Sequence, residues 1–363
     1  MVKQVFKDEK INKAMYIDCH VHLRDFEKQR HKETIRHGLE VAGDSGVDAV
    51  FDMPNTNPSV TTEEIVNERL KLADDNETNV FYAIYIGATA NSEQLKRAVE
   101  LHRKLFPRVC GIKLYAGESV GDLAVINPIE QMMVYGTLAE EGYNGILAVH
   151  AEKEDEMNKN IWKYNYPISH CIARPPESEI ASVNDQIIMA KYTKFKGKLH
   201  IAHISCPEAV DLVVKAKSEG IDISCGACPH HLFYDWNKMF DEKGILWKMN
   251  PPLRPLGYPD RMLENLKDEK IDWIETDHAP HTLEEKTSQN FMSGIPGLPW
   301  WPLFAEYLKR NNFSDDLIKR VTYSNILKRF EIDIKRNVRQ IKDRRKDYPF
   351  NPYEDLERKI GWN

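Results

Sequence analysis

The chain of 363 residues has the composition of an ordinary globular protein, with 42% hydrophobic and 29% charged residues. No run of about 18 apolar residues occurs that could cross a bilayer. The formal net charge of −6 favours neither a nucleic-acid surface nor an acidic tail. We therefore expect neither a membrane protein nor a nucleic-acid-binding protein, but one large domain with additions.

The N-terminal segment and the cysteines indicate the cellular compartment of the protein. MVKQVFKDEKINKA lacks the apolar core of a secretory signal. The six cysteines are scattered, as is typical of reduced thiols: Cys19, Cys110, Cys171, Cys206, Cys225 and Cys228. Cys225 and Cys228 form a lone CxxC, for which a structural role in a strand end and its turn is favoured over a metal or redox role. We expect a cytoplasmic protein.

Eight short apolar runs alternate with amphipathic stretches along the chain. The runs span residues 15–21, 47–53, 79–86, 109–115, 145–150, 198–204, 221–226 and 271–277. Helical periodicity follows several of them, at 31–46, 61–75, 92–105 and 207–220. Eight units of strand then helix predict an α/β fold, the (β/α)8 barrel.

Polar side chains recur at the ends of the predicted strands. His20 and His22 occupy alternate positions, which share one face of a strand. Further polar residues lie in the fourth run or close the fifth, sixth and eighth: Lys113, His150, His203 and Asp277. In a barrel of this type these side chains point to one mouth, and their nitrogen and oxygen atoms suit zinc.

Lys113 is the unusual member of this set, since an ammonium group has no lone pair for a cation. Carbon dioxide can add to a neutral amine and form a carbamate, which is long enough to bridge two metal ions. Burial favours the neutral amine, and the neighbours of Lys113 in VCGIKLYAG are apolar. We expect a buried, carboxylated lysine.

Nine short segments occur in order along the chain: DCHVHLRD (18–25), DMPNTNP (52–58), GIKLYAGES (111–119), HAE (150–152), HIS (203–205), CPHHLF (228–233), NPPLR (250–254), DHAPHTLEEK (277–286) and IPGLP (295–299). In this order they resemble the segments of the dihydroorotase family of the amidohydrolase superfamily. HxH alone is a weak signal, but the ordered set is specific.

The resemblance implies a role for each matching residue. Two zinc ions per subunit would be held by His20, His22 and Asp277, and by His150 and His203, with carboxylated Lys113 as the bridge. Asp277 would be the catalytic general base and then the acid. The implied substrate contacts are Arg24, Asn55, Asn250, His281, and the backbone near Pro296 and Gly297. The guanidinium of Arg24 suits a bidentate bond to a carboxylate.

The activity implied by the resemblance is the reversible cyclisation of N-carbamoyl-L-aspartate to L-dihydroorotate with release of water, the third step of pyrimidine biosynthesis. Another cyclic amidohydrolase, such as a hydantoinase (dihydropyrimidinase) or an allantoinase, would share the metal ligands but need no cation for a ring carboxylate. A third hypothesis is an inactive scaffold for aspartate transcarbamoylase. Such a protein usually loses metal ligands, whereas all six are present here. A homodimer and aspartate transcarbamoylase are candidate partners.

The ends of the chain depart from the family pattern. We expect an N-terminal extension at 1–14, the barrel at 15–332 and a C-terminal extension at 333–363 that packs on the barrel or on a partner. The accessory β-sandwich of many relatives is expected to be reduced or absent. The basic stretch 335–345 is interpreted as a solvated helix face, and the His230–His231 pair as structural, with side chains on opposite faces of an extended segment.

Overall fold

The computed structural model describes residues 15–118, 122–288, 291–334 and 340–362. Eight parallel strands form one sheet in sequential order. They are β1 (Tyr16–Val21), β2 (Val47–Asp52), β3 (Phe81–Gly87), β4 (Val109–Tyr115), β5 (Ile146–His150), β6 (Lys198–Ile201), β7 (Ile223–Ala227) and β8 (Trp273–Ile274). The predicted (β/α)8 barrel is confirmed.

The barrel is nearly closed between β8 and β1. The amide of His22 donates a hydrogen bond to the carbonyl oxygen of His278 over 2.8 Å. Val21 also forms an isolated parallel β-bridge with His278. Strands β6 and β8 end earlier than predicted, so that His203 and Asp277 lie in the loops that follow. Both residues have positive φ, 42° and 50°, which a strand cannot contain.

Helices follow the strands around the barrel. The α-helices of the described residues are α1 (Ile35–Asp44), α2 (Glu63–Asp74), α3 (Ser92–Leu105), α4 (Pro128–Glu140), α5 (Ser169–Ala173), α6 (Pro176–Tyr192), α7 (Pro207–Ser218), α8 (Pro229–Phe233), α9 (Tyr258–Lys267), α10 (Leu283–Thr287), α11 (Trp301–Arg310), α12 (Asp315–Lys319), α13 (Asn325–Phe330) and α14 (Glu354–Ile360). Thr34, Thr62 and Asn91 cap α1, α2 and α3 through side-chain oxygens that accept backbone N–H groups.

The segment CPHHLF is not extended, and the prediction of opposite faces for its histidines was wrong. Pro229 begins the short helix α8, where its fixed φ suits the first helical position. As a result the rings of His230 and His231 lie side by side, with centroids 4.3 Å apart.

The barrel interior is apolar at the N-terminal ends of the strands. Phe330 of α13 packs edge-on against Phe51 of β2 and Tyr85 of β3, at centroid distances of 4.8 and 6.4 Å. Trp273 of β8 belongs to the same cluster. This end of the barrel interior is filled by side chains.

Residues 340–362 pack against the barrel. The hydroxyl of Tyr348 donates to Glu33 over 2.8 Å, and Arg344 pairs with Asp44 at the end of α1 over 2.8 Å. Residues 1–14 and 335–339, which hold the predicted N-terminal extension and part of the basic stretch, lie outside the described residues. The predicted division of the chain into three parts stays a prediction.

The described ranges contain no helix that combines the length and the apolar character needed to span a membrane.

Candidate active site

A cavity opens at the C-terminal ends of the strands. It is lined by His20, His22, Arg24, Asn55, Tyr115, Glu118, His150, His203, Asn250, Asp277, Ala279, Ser293 and Gly294. Five of the six predicted metal ligands are among these residues, although they come from four different strands or the loops that follow them. The barrel therefore brings together groups that are distant in sequence.

The first donor group joins the end of β1 to the loop after β8. Nε2 of His22 lies 2.8 Å and Nε2 of His20 lies 3.3 Å from the same oxygen, Oδ1 of Asp277. Nδ1 of His22 lies 2.8 Å from the side-chain oxygen of Asn55. Because this oxygen only accepts hydrogen bonds, Nδ1 carries the hydrogen and Nε2 turns its lone pair towards Asp277.

The second donor group joins β5 to the loop after β6. Nδ1 of His150 lies 3.0 Å from Nε2 of His203. The other nitrogen of His150, Nε2, lies 3.0 Å from the carboxylate of Glu152, which orients the ring. Two imidazole nitrogens thus face each other across the cavity wall.

Lys113 of β4 is fully buried, and its Nζ has no hydrogen-bond partner among the described residues. Burial lowers the pKa of Lys113 to about 8, even though Glu275 and Asp277 act in the opposite direction. A larger fraction of the amine is therefore neutral near physiological pH than for an exposed lysine. The neutral amine is the form that reacts with carbon dioxide.

Three histidines of the site, His20, His22 and His203, are neutral. Burial lowers the pKa of His20 to about 4, and it holds the pKa values of His22 and His203 well below their usual range. Nδ1 of His20 and Nδ1 of His203 have no hydrogen-bond partner in the described part of the chain. Neutral imidazoles with free nitrogens are the form that binds a metal ion.

Arg24 is a buried cation in the same cavity. It is 2% exposed, and its Nε and Nη1 have no hydrogen-bond partner within the described ranges. Burial lowers the pKa of Arg24, but a guanidinium remains protonated in a protein. Two nitrogens of a buried cation without hydrogen bonds are costly, so this guanidinium is suited to bind an anion.

The peptide between His22 and Arg24 is held from both sides. The amide of Leu23 donates to Asp52 over 2.9 Å, and its carbonyl accepts a hydrogen bond from Arg69 of α2. Arg69 and Asp52 also form a fully buried ion pair. These contacts position the loop that carries both a predicted metal ligand and the predicted anion site.

Two carboxylates beside the metal-ligand candidates were missed by the sequence analysis. Glu275 accepts the backbone N–H of His203 over 2.6 Å, and its Oε1 lies 3.5 Å from Nδ1 of His20. Glu152 contacts His150 as described above. Glu152 lies in the recognised HAE segment, and Glu275 is a carboxylate within the apolar run WIETD; both were detectable signals.

The predicted substrate contacts divide into two groups. Arg24, Asn55 and Asn250 line the cavity. His281 is buried beside it, with Nε2 3.0 Å from the carbonyl oxygen of Ser293. The amide of Gly297, next to Pro296, donates to Nδ1 of His278 over 3.0 Å. All six predicted substrate contacts stay predictions.

Solved structures resemble this fold. The L-hydantoinase (dihydropyrimidinase) from Arthrobacter aurescens superposes with a TM-score of 0.77 at 23% identity, over 91% of this chain and 74% of that one. The dihydropyrimidinase from Brevibacillus agri gives a TM-score of 0.72 at 20% identity, over 87% and 70%. The chain therefore shares the barrel fold of these solved structures.

Relatives in sequence show the family to which the chain belongs. The dihydroorotase of Halobacterium salinarum is 32% identical over 314 residues, which cover 85% of this chain and 69% of the relative. The dihydroorotase of Methanosphaera stadtmanae is 33% identical over 291 residues, covering 78% of this chain but only 62% of the relative. No protein-family model matches the chain. The chain belongs to the dihydroorotase family.

Proposed function

We propose that the chain is a dihydroorotase, which cyclises N-carbamoyl-L-aspartate to L-dihydroorotate with release of water and catalyses the reverse reaction. The observation that carries this proposal is the buried guanidinium of Arg24, which lines the same cavity as His20, His22, His150, His203 and Asp277. Both molecules carry carboxylate groups, and a buried cation beside the donor cluster is suited to bind one of them.

The residues of the site fit a pair of metal ions. We propose two zinc ions, one held by His20, His22 and Asp277 and the other by His150 and His203, with carboxylated Lys113 between them. The support is the approach of Nε2 of His20 and of His22 to one oxygen of Asp277. A second support is the buried Nζ of Lys113, which has no partner among the described residues, and burial also lowers the pKa of His20 to about 4. The chemistry that zinc supplies when bound is polarisation of an amide carbonyl and activation of water.

Asp277 is proposed to move the proton. Its carboxylate belongs to the first donor group and also lines the cavity. During ring opening it would accept the proton of the attacking water and deliver it to the departing amide nitrogen. During ring closure the same carboxylate would return that proton to the leaving hydroxyl group as water.

Arg24 is proposed to select and orient the substrate. Its planar guanidinium presents parallel N–H groups to a carboxylate, and this directional bond holds the reacting amide at a set distance from the donor cluster. Ring amides without a carboxylate, such as dihydrouracil and hydantoin, cannot form this bond. The hydantoinase and allantoinase alternatives are therefore disfavoured.

The test is reconstitution with zinc and bicarbonate, followed by ring opening of dihydroorotate measured by ultraviolet absorbance. Dihydrouracil, hydantoin and allantoin serve as parallel substrates. We expect rapid loss of dihydroorotate alone. Opening of another ring instead would overturn the proposal, and inactivity on all four with metal bound would favour the scaffold reading. The homodimer, the association with aspartate transcarbamoylase and the cytoplasmic location stay predictions.

A further inference from the structure

A second cluster of metal-ligating side chains lies directly after β7. Cys228 precedes α8, and His230 and His231 lie within it. These residues are 0, 1 and 3% exposed, and one ligand atom from each lies within 4.8 Å of the others. None of the three belongs to the proposed two-zinc site.

The hydrogen bonds leave nitrogen lone pairs free in this cluster. Nε2 of His231 lies 3.0 Å from the carbonyl oxygen of Pro251, which only accepts, so Nε2 carries the hydrogen. Nδ1 of His231 then bears a lone pair, and it has no partner among the described residues. Both ring nitrogens of His230 also lack a partner there. Buried polar atoms are normally hydrogen-bonded, so three such nitrogens beside a thiol need an explanation.

We propose that Cys228, His230 and His231 bind a zinc ion at a site separate from the proposed two-zinc site. One sulfur and two imidazole nitrogens are zinc's preferred donors, and they supply three of the four ligands that it usually takes. Binding replaces the S–H bond of Cys228 by a sulfur–zinc bond and releases the thiol proton to water. The fourth ligand is water.

The local charges favour a cation here. The carboxylates of Asp277 and Glu275 are among the charges that act on Cys228, and negative charge attracts a positive ion.

The proposed ion would link two parts of the cavity wall. It would fix His231, whose N–H binds the carbonyl of Pro251, and Pro251 directly follows the cavity residue Asn250. The expected role is therefore structural: holding the loop that carries Asn250 against the end of β7.

Cobalt substitution tests this proposal. A cysteine thiolate bound to Co²⁺ gives a near-ultraviolet charge-transfer band, which the proposed two-zinc site cannot produce because it contains no cysteine. We expect this band in the cobalt-loaded wild-type chain. Cys228→Ala should lack the band and should bind one metal ion fewer per chain than the wild type. Cys228→Ser replaces this variant if the alanine variant does not fold by circular dichroism.

The controls are two other buried cysteines, Cys225→Ser in β7 and Cys19→Ser in β1. Both should retain the band and the metal content of the wild type. The proposal is overturned if folded Cys228→Ala matches the wild type in both readouts, or if Cys19→Ser alone removes the band. The result is independent of the dihydroorotate assay, so either proposal can fail without the other.

Discussion

Arg174 donates two hydrogen bonds to Glu152, from Nε to Oε1 over 3.2 Å and from Nη2 to Oε2 over 2.5 Å. Burial alone would raise the pKa of Glu152, but Arg174 and His150 together hold it well below its usual range. The permanently ionised Glu152 therefore keeps the hydrogen of His150 on Nε2. Nδ1 of His150 is left to face His203, as the proposed metal site requires.

We expect Glu152→Gln to weaken metal binding without removing any proposed ligand. Substitution of a group that orients a ligating histidine typically lowers metal affinity about 10–100-fold. Competition with a chromophoric chelator measures this affinity. Glu156→Gln, a substitution at an exposed position four residues away, is the matched control and should leave the affinity unchanged. Equal affinities for the two variants would show that Glu152 does not orient His150.

The planar fork of Arg24, and not its charge alone, should determine activity on dihydroorotate. Loss of one partner of a buried charged pair costs about 2–5 kcal/mol. We therefore expect Arg24→Met to lower kcat/KM by about 30-fold or more. Arg24→Lys should recover only part of this loss because an ammonium group cannot bind bidentately.

Metal content distinguishes this effect from a structural one. It should stay at the wild-type value in both Arg24 variants and in Arg30→Met, a control at a side chain that is 60% exposed. A loss of bound metal that parallels the loss of activity would contradict the role of Arg24 in substrate binding.

The ion pair between Asp52 and Arg69 should contribute to stability because both side chains are fully buried. Arg69→Met leaves the Asp52 carboxylate without its counter-charge, and breaking a buried pair in this way costs about 3–5 kcal/mol. Urea unfolding gives the free energy of unfolding. The exposed pair of Lys104 and Glu63 supplies the control, since Glu63→Gln should cost less than about 1 kcal/mol. A similar decrease in the free energy of unfolding for Arg69→Met and Glu63→Gln would refute the prediction.

The contact of α1 with the C-terminal segment should depend on pH through His37. Its hydrogen bond to Glu33 raises the pKa of His37 to about 9, and Asp347 contributes in the same direction. In the unfolded chain this pKa is about 6.5. The stabilisation is therefore complete below about pH 6.5 and is lost as the pH rises through about 9.

His37→Gln should accordingly be less stable than the wild type below about pH 6.5, and this difference should shrink above about pH 9. Urea unfolding at several pH values measures it. Arg36→Gln, at a side chain of the same helix that is 78% exposed and does not titrate in this range, is the control and should show no such trend. A difference that stays constant with pH would indicate that His37 acts by packing alone.

The strands were predictable because burial on both faces of a parallel barrel strand leaves a continuous apolar run in the sequence. β8 is the exception in length: the run 271–277 contains only the two-residue strand Trp273–Ile274. There the chain leaves the sheet so that Asp277 can adopt a positive φ. The helical state of His230 and His231 was missed because five residues are too few to show a helical period.

The sequence by itself determined the barrel and the residue types at its mouth, since hydrophobic periodicity and short motifs are local properties of the chain. Only the tertiary structure decided which of these residues meet. His22 and Asp277 are separated by 255 positions and lie 2.8 Å apart. Closing the barrel creates that contact, and it also brings Glu275 next to His20. Side-chain contacts of this kind depend on the closure of the sheet, which no local pattern encodes.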